Sequence, residues 1–383
     1  MHLIQIHKII SLIISFFYLI ARHHRGDKPT VKEFRIKLLY SFYYPLFVLS
    51  LVVGAITNDK EDQNIFLSEV AIGSSVLLIK LWFLIWKQNQ ILDLLNRVCV
   101  FSIQNDDAYN LFNNKLRGFL KLVFVFAITV AVAGSSGTIV MSFVGNGKTL
   151  FLEVGFPMDW RNNEIAFWMA SIFVFTEVLL SLLVMIFTIM IWYLLLICSL
   201  RYEVLGTQLR SMGKNREKDK MTENKTLNNF FVNLKDSVKV HLHLRGLTND
   251  VGFFFSDIFF IQFGTSGLCI CGSIYCLAFG VGESLVERFV HVLVFFYLTA
   301  DIFMITYVGN EIMLSSNRLS YSLFESEWYN QPQFTKKCII IFGEYLKQPQ
   351  AIVIGKLYPL TLETFTRIIN SACSMFNILK NIK

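Results

Sequence analysis

Residues 165–200 read IAFWMASIFVFTEVLLSLLVMIFTIMIWYLLLICSL, and the only charged residue among them is Glu177. A bilayer hydrocarbon core of ~30 Å is crossed by roughly 20 apolar residues of helix. This stretch exceeds that length, and six others reach it. The seven predicted spans lie near residues 38–57, 66–86, 119–144, 165–200, 251–280, 290–308 and 357–380. The sequence therefore predicts an all-α polytopic membrane protein with seven transmembrane helices.

The basic residues predict its orientation. Of the 35 Lys and Arg residues, 26 lie in alternate connections: seven in 1–37, four in 87–118, ten in 201–250 and five in 314–356. The opposite connections hold Lys60, Lys148, Arg161 and Arg288. Because Lys and Arg favour cytoplasmic loops, we expect a cytoplasmic N-terminus and an extracellular C-terminus. This orientation is the reverse of that of a G-protein-coupled receptor.

The spans divide the chain into six parts. Residues 1–37 form a cytoplasmic N-terminus, 38–200 hold transmembrane helices one to four, 201–250 a cytoplasmic loop with anchor helices, 251–313 helices five and six, 314–356 a cytoplasmic anchor segment, and 357–383 helix seven with a short extracellular tail. Helical pattern continues past the fourth span to Met212, breaks over the charged residues 214–229 and resumes at Phe230. We therefore expect helices four to seven to extend into a cytoplasmic anchor region.

The N-terminal residues carry one polar stripe. Its members recur at helical spacing, namely Gln5, Lys8, Ser11, Ser15 and Arg22. Such a stripe predicts an amphipathic helix lying in the membrane interface. A signal peptide would need a small-residue cleavage site, and this chain instead continues with two Arg and two His residues.

Composition excludes several classes of protein. Hydrophobic residues make up 54% of the chain and charged residues 16%, against ~25% charged in soluble domains. No separate soluble enzyme domain fits, and we find no phosphate loop, zinc-protease motif or catalytic Ser/His/Asp set, so we expect no enzyme, no catalytic residues and no cofactor. The +7 net charge is spread over cytoplasmic loops, which favours anionic lipid and not nucleic acid as its partner.

Two groups of potential metal ligands have ordinary explanations in the sequence. Cys269, Cys271 and Cys276 have no His or acidic residue near them along the chain, so we expect small packed side chains and no metal. His241 and His243 are two residues apart, which places them on different faces of a helix, so they do not suit a shared ligand site. We expect both to lie on a wet cytoplasmic surface.

The last span carries polar residues at steps of three and four. They are Glu363, Arg367, Asn370, Ser374, Asn377 and Asn381. One face of this helix is therefore polar along its length, and polar side chains within a membrane normally face water or another helix. The pattern fits a pore lining, and it also fits hydrogen bonding between helices of one subunit.

The C-terminal 140 residues resemble insect odorant receptors. The motifs, in order, are HLHLRG (241–246), FFFSD (253–257), QF (262–263), YVGNE (307–311), SEWY (326–329) with Pro332, and GKLYPLTLETF (355–365). The residues before 241 match that family in span number, loop lengths and sidedness of charge. One motif departs from the family: residues 371–376 read SACSMF where many members have aromatic residues.

The resemblance implies an odorant-gated cation channel. In this family a divergent odorant-binding subunit assembles with a shared co-receptor into a tetramer around a central pore, in the plasma membrane of olfactory sensory neurons. The connection 201–250 is shorter than the co-receptor's, so the chain resembles the odorant-binding subunit. Its ligand would be a small volatile odorant.

The resemblance also implies site residues. Pore positions are Ser374, Asn377, Ile378 and Asn381, with Ile378 in the place of the apolar gate. The odorant cavity would lie in the outer half of spans two, three, four and six and be enclosed and mostly apolar. Its candidates are Gly73, Ser74, Leu77, Ser135, Thr138, Met141, Trp168, Ser171, Phe175, His291, Phe295 and Thr299, with Glu177 as a further possibility.

Three other functions stay open at this point. A gustatory receptor has the same architecture, but its usual last-span signature is absent from residues 371–376. A G-protein-coupled receptor needs the opposite orientation. A secondary transporter would usually show repeated halves with paired broken helices, and the sequence shows none.

Overall fold

The computed structural model describes residues 2–4, 31–58, 61–144, 150, 152, 154–155, 157–160, 162–214, 223–279, 285–355 and 357–382. Its helices are α1 (Val31–Thr57), α2 (Glu61–Trp86), α3 (Gln88–Cys99), α4 (Asp106–Val144), α5 (Glu164–Ser211), α6 (Glu223–Phe279), α7 (Leu285–Phe324), α8 (Gln333–Leu346) and α9 (Leu362–Ile382). Short strands are β1 (His2–Ile4), β2 (Phe101–Ile103), β3 (Val353–Ile354) and β4 (Tyr358–Pro359). A 3-10 turn covers Trp328–Asn330.

The helices confirm the predicted membrane fold. Within the described residues, six helices are long and apolar enough to cross a bilayer: α1, α2, α4, α5, α6 and α7. They coincide with the first six predicted spans. Helix α9 is the seventh, and its 21 residues, at ~1.5 Å each, reach about the thickness of the hydrocarbon core. The expected start of this span was wrong by five residues, because 357–361 contain β4 and the turn into α9.

Three helices extend far beyond the membrane. Helices α5, α6 and α7 have 48, 57 and 40 residues, which correspond to lengths of about 72, 85 and 60 Å at 1.5 Å per residue. These lengths exceed a ~30 Å core roughly two- to threefold, so the helices continue into the predicted anchor region. The predicted charged break ends earlier than expected, since α6 begins at Glu223 and not at Phe230; residues 215–222 of the break lie outside the described part.

The anchor region contains a buried histidine. His241 of α6 is buried, with ring centroids 6.2 Å from Tyr202, 5.9 Å from Phe342 and 5.7 Å from Tyr345. The sequence placed both His241 and His243 on a wet surface, which is wrong for His241 and right for His243, whose side chain is exposed. Helices α5 and α8 bury the His241 face of α6, and this tertiary packing cannot be read from the spacing of the two residues.

Small residues let α5 and α7 approach closely. The hydroxyls of Ser199 and Ser315 are 3.0 Å apart across the two helices. A Cβ atom on Gly206 would lie 3.3 Å from Oγ of Ser322, so the backbone of α5 is near that side chain. Gly and Ser side chains are small enough to let two helix backbones come this close.

Pro45 lies inside α1 and leaves one carbonyl without its usual helical partner. Proline has no backbone N–H, so the carbonyl oxygen of Ser41, four residues earlier, loses its hydrogen bond. The indole nitrogen Nε1 of Trp82 donates to this oxygen at 3.2 Å. Helix α2 thus satisfies the polar group that Pro45 frees in α1, which fixes the two helices against each other.

The N-terminal strand was not expected in an all-α chain. Strand β1 pairs antiparallel with β2, with His2 opposite Ile103. The pairing places the start of the chain beside the connection 87–118, on the side of the membrane that the charges predict to be cytoplasmic. The predicted interfacial helix, with its stripe from Gln5 to Arg22, lies outside the described residues.

Candidate functional site

Helix α9 presents its polar line away from its own bundle. The opposite face packs on α6 and α7: the rings of Phe365 and Phe303 are 5.5 Å apart, and those of Phe376 and Phe279 are 6.3 Å apart. Ala372 is fully covered on this face. Since consecutive helical residues are 100° apart, this packing turns the polar line outward. The predicted pore residues Ser374, Asn377, Ile378 and Asn381 are all exposed on the single chain, Ile378 by 61%.

A hydrogen-bonded loop sets the start of α9. The hydroxyl of Thr364 donates to the carbonyl oxygen of Pro359 at 2.6 Å, and the backbone N–H of Phe365 donates to that of Thr361 at 3.3 Å. One turn further, Nη2 of Arg367 donates to Oε1 of Glu363 at 2.6 Å. These two charged members of the polar line therefore pair with each other within α9.

Two predicted odorant residues, Ser74 and Glu177, lie at a polar cluster between α1, α2, α5 and α7. The hydroxyl of Tyr44 lies 2.7 Å from that of Ser181 and also interacts with Ser74, which is buried as expected. Glu177 and Tyr297 are within electrostatic range of Tyr44. Tyr44 belongs to the first span, which the sequence did not associate with the cavity. Its position within a membrane span was a signal in the sequence, because a buried tyrosine hydroxyl usually needs a hydrogen-bond partner.

Three buried polar groups of α5 and α7 lack hydrogen-bond partners among the residues that the structure describes. Within the described residues, neither carboxyl oxygen of Glu177 has a hydrogen-bond partner, nor do Oγ of Ser171 and Oγ1 of Thr299. Glu177 is fully buried. An unpaired buried polar group costs free energy, so such groups commonly mark the place of a ligand or a water molecule.

The remaining odorant candidates differ in their surroundings. Leu77 and Phe295 are half-buried and pack against buried apolar clusters, while Gly73 and Phe175 are half-buried. Trp168 departs from the expectation of an enclosed cavity, because it is 43% exposed near the start of α5. Ser135, Thr138 and Met141 lie in α4 beyond Gly134, in a part of the helix where the structure describes the backbone only.

His291 has a different environment from the other candidates. Its Nδ1 lies 3.7 Å from Oε2 of Glu69. The Cys276 sulfur lies within 4.8 Å of one potential metal-ligand atom of each of these two residues. The expectation that no His or acidic residue accompanies the cysteines of the fifth span is thus wrong for Cys276. It is also wrong for Cys269, whose sulfur lies 3.7 Å from the backbone oxygen of Glu69. Residues 69, 276 and 291 come from three helices, so no spacing along the chain could reveal the group.

A buried charged pair lies deeper in the same bundle. Nζ of Lys80 donates to Oγ1 of Thr188 at 2.9 Å and lies 3.8 Å from Oδ2 of Asp301. Nε2 of Gln262 donates to the same carboxylate oxygen at 2.5 Å. The four residues belong to α2, α5, α6 and α7. Sequence reasoning missed them, although a Lys and an Asp within apolar spans are themselves a signal of function or of pairing.

The chain is similar in sequence to known odorant receptors. A model of the 7tm odorant receptor family matches residues 64–373. The chain is 23% identical over 331 residues to odorant receptor 94a of Drosophila melanogaster, covering 85% of this chain and 81% of that protein. It is 24% identical over 271 residues to odorant receptor 23a of the same species, covering 70% and 68%.

Solved structures show the same fold. Olfactory receptor OR5 from Machilis hrabei superposes with a TM-score of 0.78 at 15% identity, covering 98% of both chains. The structure of that receptor in complex with eugenol gives a TM-score of 0.79 at 14% identity. The chain is a member of the 7tm odorant receptor family, a multi-pass membrane receptor of insect olfaction and not an enzyme.

Proposed function

We propose that this chain is the odorant-binding subunit of an odorant-gated, non-selective cation channel. It forms the pore with the family's shared co-receptor, in a hetero-oligomeric tetramer. Its ligand is a small, volatile, mostly apolar odorant bound in the outer half of the helix bundle. The assembly lies in the plasma membrane of olfactory sensory neurons, with the N-terminus in the cytoplasm.

The observation that carries the pore is the exposed polar line of α9. A polar face directed at lipid would be costly, so in a membrane it must meet water or another subunit. A tetramer with four such helices around its axis provides both. Ile378 lies beside this line and is the apolar constriction, which closes by excluding water.

The unpartnered polar groups support the odorant cavity. Apolar burial gains ~25 cal/mol per Å² but gives no direction, so one or two polar groups must orient the ligand. The Glu177 carboxyl and the Ser171 and Thr299 hydroxyls are buried and without partners in the described part of the bundle. Since carboxyl and hydroxyl oxygens accept hydrogen bonds, odorants with a hydroxyl or amine group gain most at this site.

Helix α7 couples the cavity to the pore. It carries Phe295 and Thr299 toward its outer end, and its Phe303 packs on Phe365 of α9. An odorant opens the channel only if it binds the open arrangement more tightly than the closed one. A shift of α7 on ligand binding is transmitted to α9 through this contact.

The test is current recording in oocytes that express this chain with the co-receptor. Phe295→Ala is expected to shift the odorant concentration for half-maximal current at least several-fold, with unchanged surface assembly. Ile378→Ala is expected to raise the resting current. Leu379→Ala is the matched control, because Leu379 lies 100° further round α9 from Ile378, away from the polar line, and should leave the resting current unchanged.

The outcomes separate the alternatives. Equal loss of surface assembly in both test variants would contradict this division of roles. Odorant responses carried by G-protein signalling without channel current would favour the seven-helix receptor class, and substrate accumulation would favour a transporter. Responses confined to soluble tastants would favour a gustatory channel.

A further inference from the structure

The ends of α2, α6 and α7 bring three metal-ligand side chains together. Glu69, Cys276 and His291 each offer one ligand atom, and the three atoms lie within 4.8 Å of one another. The residues are only 5%, 1% and 2% exposed. They lie toward the helix ends where α6 finishes at Phe279 and α7 begins at Leu285, which the charge distribution predicts to be extracellular.

Two side chains of the cluster each have a buried polar atom that is unsatisfied. Oε2 of Glu69 and Nδ1 of His291 are 3.7 Å apart, and neither has a hydrogen-bond partner in the described structure. A buried carboxylate oxygen and a buried imidazole nitrogen both lose hydration free energy unless something replaces the lost water. A cation placed between them would satisfy both atoms at once.

The other oxygen of the carboxylate is held in place. Ser273 of α6 donates a hydrogen bond to Oε1 of Glu69, which leaves Oε2 directed at the cluster. A Cβ on Gly272 would lie 3.9 Å from Oε2, so the carboxylate rests against the backbone of α6. The ring of Phe66 packs edge-on to the His291 ring with centroids 5.1 Å apart. Supporting contacts of this kind orient the ligands of metal sites.

The geometry points to a Zn²⁺ site formed by Glu69, Cys276 and His291. Some point lies within about 2.8 Å of three atoms that are at most 4.8 Å apart, and Zn²⁺ needs ~2.0–2.3 Å, so small side-chain rotations complete the coordination. Carboxylate, imidazole and thiolate together suit Zn²⁺, whereas Mg²⁺ and Ca²⁺ prefer oxygen ligands only. On binding, the Cys276 thiol loses its proton to bulk water, and a water molecule occupies the fourth position.

The site would join α2, α6 and α7 by bonds stronger than side-chain packing. Helices α2 and α7 also carry Ser74 and Phe295, one to two turns from Glu69 and His291. Zn²⁺ therefore fixes the separation of two walls of the odorant cavity and changes odorant sensitivity, a consequence that rests on the proposed function. It also assigns His291 to the metal and not to direct odorant contact.

The first test uses Co²⁺ as a spectroscopic substitute for Zn²⁺ on the full-length chain, purified with its co-assembled subunits. The expected result is a tetrahedral cobalt spectrum with a thiolate-to-cobalt charge-transfer band, displaced by ZnCl₂. Cys276→Ser should abolish that band, and His291→Gln and Glu69→Gln should weaken Co²⁺ binding at least tenfold. Cys271→Ser, a buried cysteine of the same helix outside the cluster, should bind as the wild type does.

Each outcome is decisive. A wild-type protein without the band, or a band that persists in Cys276→Ser, overturns the site. If a variant fails to fold, its melting temperature in EDTA reveals this, and the remaining two variants still decide. ZnCl₂ should also raise the melting temperature of the wild type and of Cys271→Ser, but not that of Cys276→Ser.

The second test records odorant current with and without a zinc chelator. Chelation should shift the odorant response of the wild type and leave Cys276→Ser unchanged. A positive cobalt spectrum without this shift would overturn only the effect on sensitivity. Absence of odorant current from every variant and from the wild type would count against the proposed channel and leave the metal site standing.

Discussion

Nζ of Lys80 lies 3.8 Å from Oδ2 of Asp301, and both side chains are buried, at 2% and 6% exposure. The two residues are on α2 and α7, the helices that border the candidate odorant cavity. Thr188 and Gln262 complete a polar network across four helices. In a membrane interior such a pair is retained only if each charge keeps its partner.

Removing one member of this pair is expected to be far worse than removing both. Asp301→Leu leaves the Lys80 ammonium uncompensated and should destabilise the fold by about 3–5 kcal/mol, with loss of surface delivery. The double variant Lys80→Met with Asp301→Leu should recover much of that loss. Cell-surface labelling measures the delivery of each variant, and melting temperature measures its stability. Wild-type delivery of Asp301→Leu alone would show that the pair does not stabilise the bundle.

The buried His241 should make the anchor region sensitive to acid. Burial, with a smaller contribution from the Arg245 guanidinium, lowers the pKa of His241 from 6.5 to about 4. The folded protein therefore binds fewer protons than the unfolded chain below pH 6.5, so the stability contributed by neutral His241 is complete above that pH and is lost as the pH falls toward 4. The expected loss is about 2 kcal/mol between pH 7.5 and 5.

His241→Phe should remove this pH dependence, because phenylalanine fills the same aromatic pocket and does not titrate. Melting temperatures at pH 7.5 and 5 provide the measurement. His243→Phe is the control, since the His243 side chain is exposed. Identical pH slopes in wild type and His241→Phe would mean that His241 does not titrate at a lowered pKa.

Gly309 sits where α7 touches the segment leading into α9. A Cβ there would lie 2.6 Å from Cδ2 and 2.7 Å from the backbone oxygen of Leu360. Gly309→Ala must displace that backbone and should cost roughly 1–3 kcal/mol. Gly264→Ala, where a Cβ meets nothing within 4 Å, should be neutral or stabilising by up to ~1 kcal/mol. Comparable melting temperatures for the two variants would contradict the close contact.

Arg201 connects α5 to the end of α3. Its Nη1 donates to the carbonyl oxygens of Arg97 and Val98 at 3.2 and 3.0 Å, and its guanidinium lies 4.8 Å from the Phe101 ring centroid. Arg201→Lys keeps the charge but loses the planar fork, so we expect a loss of at least ~1 kcal/mol. Arg210→Lys is the control, because its ion pair with Glu325 is exposed. Equal melting temperatures for the two variants would refute this role of Arg201.

The sequence predicted the elements that depend on local composition. Seven spans, the continuation of α5 and the polar line of α9 follow from runs of apolar residues and from a helical period, both of which are properties of consecutive residues. The boundaries that failed were at Leu362 and Glu223, where turn geometry and packing, and not hydropathy, decide where a helix begins.

What the sequence by itself determined is therefore the set of membrane helices, the predicted side of each loop and the polar face of α9. Only the tertiary structure decided which polar residues meet. Lys80 and Asp301, or Glu69 and His291, are more than 200 positions apart, and their contacts depend on how α2 and α7 rotate and pack. Hydropathy decides that a helix enters the membrane. It does not decide how the helix is rotated, because lipid is the same on every side. Its rotation is set by partners from distant parts of the chain.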